Sequence, residues 1–282
     1  MYSLWVQNAY GDKIELTHNN NYSIVDITGI DPPDASINAT RNAGEDGAVY
    51  NSAYILPRTI SLTIAINFPA ETNRIELYKY FKAKFPVTLF YQNSTRDVFI
   101  NGYVQIMQIA FFNRKQTAII TIYCPRPLFS DTQSDIQEFS GIVPLFEFPF
   151  DIGSGGIPFS QVQLDTDKVI VNHGDIETGT VIRIHALGAV VNPKIYNTET
   201  NEHIFINKTM AAGDDIIINT IRGEKSISFV HNGTVSSLIN GFVAGSVWLQ
   251  LAPGDNVFSI AADSGLANMV CEFTTLNQYE GV

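Results

Sequence analysis

Two cysteines in 282 residues are too few to staple a small domain together. Cys124 and Cys271 lie in different halves, each ending an apolar segment (TAIITIYC and NMVC), and read as buried free thiols. Charge is scarce as well. Asp, Glu, Lys and Arg make up 16% of the chain, against roughly a quarter in an average soluble domain. With 45% hydrophobic residues, this excludes a disordered chain. Nor is the composition the Glu-, Lys-, Ala- and Leu-rich one of a coiled coil. No apolar run approaches the roughly 18 residues that span a bilayer, so no membrane insertion is expected. The opening MYSLWVQNAYGDKIEL has no basic segment ahead of an apolar one. No secretory signal is expected, and synthesis in a cytoplasm is.

Catalytic signatures are missing too. The five histidines, His18, His173, His185, His203 and His231, show no i, i+4 pair and no HExxH, and read as exposed strand residues. There is no G-x-S-x-G elbow. The glycine cluster Gly153-Ser154-Gly155-Gly156 lacks the Lys-Ser/Thr of a phosphate-binding loop and reads as a flexible turn. Carboxylates gather at Asp165 and Asp167, at Asp175 and Glu177, and at Asp214-Asp215. None has the spacing of a calcium loop, and solvated or structural turns account for them better than a cation or a glycosidase pair. Four Asn-x-Ser/Thr matches, at Asn38, Asn93, Asn207 and Asn232, read as chance in an Asn- and Thr-rich chain. The residues therefore point to no enzyme, no cofactor and no metal.

What is present is a two-part, β-rich chain. The length suits two domains. Net charge is -11, and it is uneven: residues 1–136 carry 11 basic and 12 acidic side chains, residues 137–282 carry 6 and 16. An acidic surface without Lys/Arg-rich segments repels phosphate backbones, so no specific nucleic-acid binding is expected. Alternation is the dominant pattern. In 59–66 (TISLTIAI), Ile60, Leu62, Ile64 and Ile66 share one face, and Thr59, Ser61 and Thr63 the other. Similar signals recur at 22–28, 87–91, 98–106, 117–123, 168–172, 181–186, 203–206, 215–219, 226–230 and 256–261. Asn101-Gly102, Ala212-Gly213, Asn232-Gly233 and Pro253-Gly254 read as turns between them. One segment, 71–85 (ETNRIELYKYFKAKF), predicts an amphipathic helix with Ile75, Tyr78, Phe81 and Phe85 on its apolar face and Pro86 as its stop. Pro125 and Pro127 break the pattern and place a boundary near 130–140, after which many short strands predict a β-sandwich. Aromatics are 11%, including Trp5 and Trp248. An exposed ring of this kind stacks on a sugar, although core packing accounts better for most of them.

The order of short motifs along nearly the whole chain resembles the distal tail protein family of siphophages and related tail-like particles. Those motifs are Gly11-Asp12-Lys13-Ile14-Glu15-Leu16; Tyr22-Ser23-Ile24-Val25 with Thr28-Gly29-Ile30 and Pro32-Pro33; Gly44-Glu45-Asp46-Gly47; and Arg58 opening an alternating strand. A helix with Arg74 and Leu77-Tyr78 follows, then the hinge Cys124-Pro125-Arg126-Pro127-Leu128-Phe129. In the second half come Asn172-His173-Gly174-Asp175-Ile176-Glu177-Thr178-Gly179, Asn192-Pro193, Gly213-Asp214, Leu251-x-Pro253-Gly254-x-Asn256 and Tyr279-x-Gly281-Val282.

The resemblance implies a mainly β fold. It consists of a ring-forming, split-barrel-like N-terminal domain with one α-helix over residues 1–132 and a galectin-like β-sandwich over residues 133–282. It implies a structural, non-enzymatic component of a virion tail tip that forms a homo-oligomeric ring, commonly a hexamer. Such a ring joins the tail tube protein to the tail-associated fibre or spike protein, and its outer domains attach receptor-binding proteins. The alternative reading is a carbohydrate-binding module in residues 137–282 that recognises host cell-wall glycan through an exposed Trp or Tyr. A glycoside hydrolase built on the Asp-rich turns is a weaker third.

Overall fold

The computed structural model describes residues 2–111, 115–139, 142–144, 160–162 and 167–282. They form two compact units, Met1–Thr132 with Gln278–Val282, and Gln133–Asn277.

The first unit carries β1 (Ser3–Asn8), β2 (Lys13–Glu15), β3 (Tyr22–Thr28), β4 (Ala35–Thr40), β5 (Val49–Ile55), β6 (Arg58–Ile66), α1 (Ala70–Tyr80), β7 (Pro86–Gln92), β8 (Asp97–Ile109), β9 (Gln116–Cys124) and β10 (Phe129–Asp131). An antiparallel sheet runs in the order β2-β1-β7-β8-β9-β6-β3, and β10 adds to β8. Alternation decides its faces. Ile60, Leu62, Ile64 and Ile66 of β6 are buried, and Ile120 and Ile122 of β9 join them in one core with Leu4, Val6, Leu89 and Val98. Thr59, Ser61 and Thr63 take the other side of β6, as a half-buried sheet requires.

The helix corrects the sequence reading. It ends at Tyr80, with Phe81 as its C-cap, well short of Pro86. Its buried positions are Asn73 and Leu77, continued by Phe81, whereas Ile75, Tyr78 and Phe85 are exposed. Two apolar stripes compete on this segment, and a period of 3.6 fits either. The winner is the one in which Asn73 bonds Asn67 O (3.0 Å) and gives its own carbonyl to the buried Tyr22 hydroxyl (3.0 Å). Those bonds make a buried Asn tolerable.

Asn101-Gly102 is a second correction: it is no turn but the middle of β8. A Cβ on Gly102 would lie 2.5 Å from Ile122 Cγ2 and 2.9 Å from Cys124 Sγ. Close strand packing, not a positive φ, requires the glycine there. By contrast, Asn232 (φ 49°) and Gly233 (φ 76°) form the expected tight hairpin turn, with Gly213 also left-handed in a loop and Gly254 left-handed at the start of its strand.

The second unit has two facing sheets. One runs Asp135–Phe139, Met269–Thr275, Thr178–Ala186, Asp215–Asn219, Ser226–His231, Thr234–Ser237; the other Asp167–Asn172, Gly254–Ser264, Val190–Asn197, His203–Phe205. Inward residues of both meet in one core: Ile182, Ile216, Ile218 and Phe273 from the first, Ile170, Ile195 and Phe258 from the second. The Phe258 and Phe273 rings lie 5.1 Å apart. This is the sandwich the spacing of strands predicts. Its only helical turns among the described residues are 3-10 turns at Ile239–Gly241 and Leu266–Asn268.

Candidate functional site

The residues that sequence chemistry singles out do not converge on a reaction centre. His18 and His173 are exposed on loops. Glu177 makes an exposed ion pair with Arg222 (3.2 Å), and Asp167 is exposed at the start of its strand. The glycine cluster 153–156 and Asp165 lie outside the described residues. No group of three or more His, Cys, Asp or Glu fit to hold a metal occurs among the described residues.

Asp214 and Asp215 are structural rather than solvated, one of the two readings their turn allowed. Asp215 accepts two bonds from Arg183 (both 3.1 Å) and one contact from His185 Nδ1 (2.7 Å). Asp214, 4% exposed, accepts from the Ala211 N–H (2.8 Å) and lies 2.6 Å from His231 Nδ1. Burial raises both carboxyls, and the bonds more than offset it, so both sit below the usual carboxylate range. Strand pairing makes these contacts, since His185 stands opposite Asp215 and Val230 opposite Asp215 on its other side. No local spacing reveals them.

The motifs quoted above do converge, on Arg58. It is 5% exposed, and its Nη1 donates to the carbonyls of Gly29 (3.2 Å) and Asp31 (3.1 Å), while Nη2 donates to Glu280 O. Its guanidinium covers the Phe129 ring at 4.8 Å. The strand Gln278–Tyr279 pairs with β10, and Arg96 lies over the Tyr279 ring at 4.2 Å. Gly29 is left-handed (φ 82°), with its missing Cβ 2.2 Å from Thr59 O. Four segments far apart in sequence thus share one buried cation. In the second unit, Asn172 and Asn256 do the same for turns. Asn172 Nδ2 donates to Ile176 O (2.9 Å) and Leu251 O (3.0 Å), and Asn256 Oδ1 accepts from Ala252 N (2.8 Å). The motifs hold the scaffold together.

The surfaces left open are of another kind. Among the described residues, β3 ends the sheet with one edge unpaired, and it carries a bulge at Ile24/Asp26 that leaves Val25 61% exposed. From the same end of the chain springs the hairpin of β4 and β5, which among the described residues pair only with each other. All but one of its strand residues are exposed, among them Ile37, Val49, Tyr50 and Tyr54. A two-stranded ribbon with apolar side chains on it and no core beneath is marginal alone and needs a partner surface.

Comparison with known proteins gives these surfaces a context. Residues 173–276 match the family model of the siphovirus-type tail component, C-terminal domain. No curated protein matches the sequence. Among solved structures the chain is similar to SPP1 Dit, described as a paradigm of the hub adsorption apparatus in phages that infect Gram-positive bacteria. The identity is 13%, over 98% of this chain and 99% of that one, with a TM-score of 0.71. It is also similar to a chain of the phage P2 baseplate in its activated conformation with Ca, at 11% identity over 100% of both chains and a TM-score of 0.54. The same baseplate with Sr gives 11% and 0.53. The chain thus resembles the siphophage distal tail proteins in sequence over residues 173–276 and in fold over nearly its whole length.

Proposed function

We propose that this chain is a structural component of a phage tail tip or baseplate, located in the virion, and not an enzyme. Its first unit forms a homo-oligomeric ring, a hexamer by analogy with the resemblance, between the tail tube protein and the tail-associated fibre or spike protein. Its galectin-like second unit faces outward and carries receptor-binding proteins. The division of labour falls at residues 1–132 and 133–282, with 278–282 packing on the ring-forming unit.

The observation that carries this reading is the tail-component match over residues 173–276, borne on a chain whose fold along its length is that of SPP1 Dit. The open edge of β3 and the unsupported hairpin support it. Edge strands are hazards in a free monomer and are satisfied in closed rotational symmetry. The test is light scattering of the full chain across concentration. A closed species near six times 31.2 kDa is expected. A monomer that stays monomeric when mixed with tube and hub proteins overturns the reading.

A further inference from the structure

The outward face of the first sheet should be polar throughout, because its alternate residues already fill the core. It is not: Tyr103 of β8 and Ile119 and Tyr123 of β9 are exposed on it, and at one end the apolar side chains are all aromatic. Trp5, Phe90 and Phe99 stand opposite one another across β1, β7 and β8, forming an aromatic row on the face away from Leu4, Leu89 and Val98. Gln92 and Asp97, themselves a cross-strand pair, border the row on one side, and Lys13 of β2 reaches it from the other. Trp5, Lys13, Phe90, Gln92 and Asp97, with Thr132, line a cleft of about 480 Å³.

Its chemistry is unspent. Among the described residues, neither the Trp5 indole N–H, the Gln92 amide nor the Asp97 carboxylate has a hydrogen-bond partner from a side chain or backbone. Lys13 has no ion pair among the described residues; its ammonium rests 4.3 Å from the centre of the Phe90 ring and covers it. The ring that remains open to the cleft is Trp5. We propose that this cleft binds a neutral pyranose unit of a glycan. The indole face takes the apolar C–H face of the sugar. Asp97 accepts from adjacent hydroxyls, Gln92 both donates and accepts, and the Trp5 N–H and Lys13 donate. A few convergent polar groups around an apolar floor are how small-molecule sites fix orientation. One cation and one carboxylate leave the cleft without net charge, which disfavours phosphates and uronates, since either would face Asp97.

The proposal moves sugar recognition away from the sandwich unit. Trp248, the other tryptophan, is stacked on Phe242 at 5.0 Å and packs on the second core. It stands independently of ring assembly, and the two are tested separately.

The full chain carrying Trp248→Phe has Trp5 as its only indole. Titration with chitobiose, maltose and lactose, followed by Trp fluorescence, is expected to show saturable binding of at least one disaccharide. Asp97→Asn and Gln92→Ala, both at exposed positions, should each weaken it about tenfold, the loss of one good polar contact. Glucose 1-phosphate should bind no more tightly than maltose. Light scattering of the same variants should give the parent mass. The proposal is overturned if no disaccharide gives a saturable change at its solubility limit. It is equally overturned if binding ignores both substitutions, or if Asp97→Asn lowers the assembly mass, which assigns the aromatic row to a second copy of the chain.

Discussion

Arg58 holds its guanidinium carbon 4.8 Å from the centre of the Phe129 ring while donating to the carbonyls of Gly29, Asp31 and Glu280. One planar fork therefore ties β6 to the loop after β3, to β10 and to the segment after Tyr279. Lysine has the charge but not the fork, and one ammonium cannot serve three divergent carbonyls and stack on a ring. Arg58→Lys should cost about 2–4 kcal/mol, the scale of losing two or more bonds to a buried charged donor. Urea unfolding followed through Trp5, in a Trp248→Phe background, isolates the first unit. An unchanged midpoint would show that the cluster adds nothing to the unit's stability.

Gly29 and Gly102 are required for different reasons, and alanine separates them. At Gly29 a Cβ meets Thr59 O at 2.2 Å in a left-handed backbone, so both strain and collision oppose it. At Gly102 the backbone is extended, and the collision is with the Ile122 and Cys124 side chains and the Tyr123 carbonyl. Gly29→Ala should destabilise by about 1–3 kcal/mol from strain alone, more with the clash. In a double-mutant cycle, Gly102→Ala should cost less in an Ile122→Ala background, which removes the Cγ2 methyl that the new Cβ meets, although Cys124 Sγ and the Tyr123 carbonyl keep the relief incomplete. The same Ile122→Ala should give no relief to Gly29→Ala, and thermal melts of the single and double variants check this.

That contrast shows what was legible in the sequence. Strands with one buried face were readable because Ile60, Leu62, Ile64 and Ile66 alternate without exception. Asn101-Gly102 misled because a turn dipeptide and a tight strand crossing use the same glycine, and only the neighbouring β9 tells them apart. The helix was found but faced wrongly, since Asn73 counts as polar until Tyr22 and Asn67 supply its bonds. The pairs Asp214–His231 and Asp215–His185 were invisible, because strand register far along the chain creates them. The aromatic row was out of reach for the same reason: Trp5, Phe90 and Phe99 are distant in sequence and adjacent only in the sheet.

The aspartate pairs make the second unit acid-sensitive. Both carboxyls titrate below their ordinary value in the folded unit. A carboxyl with a depressed folded pKa contributes stability above its unfolded pKa and loses it as pH falls through the folded one. The second unit should therefore weaken progressively below about pH 4, with a net uptake of protons on unfolding. Asp215→Asn should lower stability at pH 7 and flatten the acid limb. Urea midpoints followed by Trp248 from pH 7 to pH 2 provide the comparison, and an acid limb as steep as the parent's would rule out Asp215 as a contributor.

Burial holds the Cys124 thiol at about 11 and pushes that of Cys271 higher still. Arg58 pulls Cys124 down, but not enough to offset the loss of water. At pH 8 only about a thousandth of Cys124 is thiolate, the reactive form. The native chain should leave Ellman's reagent almost uncoloured over minutes, and release two equivalents once denatured. Arg58→Lys should speed labelling of Cys124 alone, by opening the cluster above it. Peptide mapping of the labelled site distinguishes local opening from global unfolding, which would expose Cys271 as well.

The hairpin offers the sharpest separation of folding from assembly. Tyr50 and Tyr54 are 64% and 57% exposed, and their strand β5 pairs with β4 and with no other strand among the described residues. Nothing in the first core depends on them, so replacing both with serine should change the melting temperature by little, as exposed substitutions usually do. If the ribbon lies on a neighbouring copy, each tyrosine brings a large amphipathic surface to that contact, and tyrosine is enriched among residues that dominate interface energy. Loss of both at every interface of a closed ring is repeated around it, so the effect on assembly multiplies. On the proposed ring assembly, the double variant should run as a well-folded monomer or open fragment at concentrations where light scattering finds the parent assembled. Light scattering with a parallel thermal melt reads both quantities. A ring of unchanged mass would move the interface to the open edge of β3, where Val25 is the residue to change next.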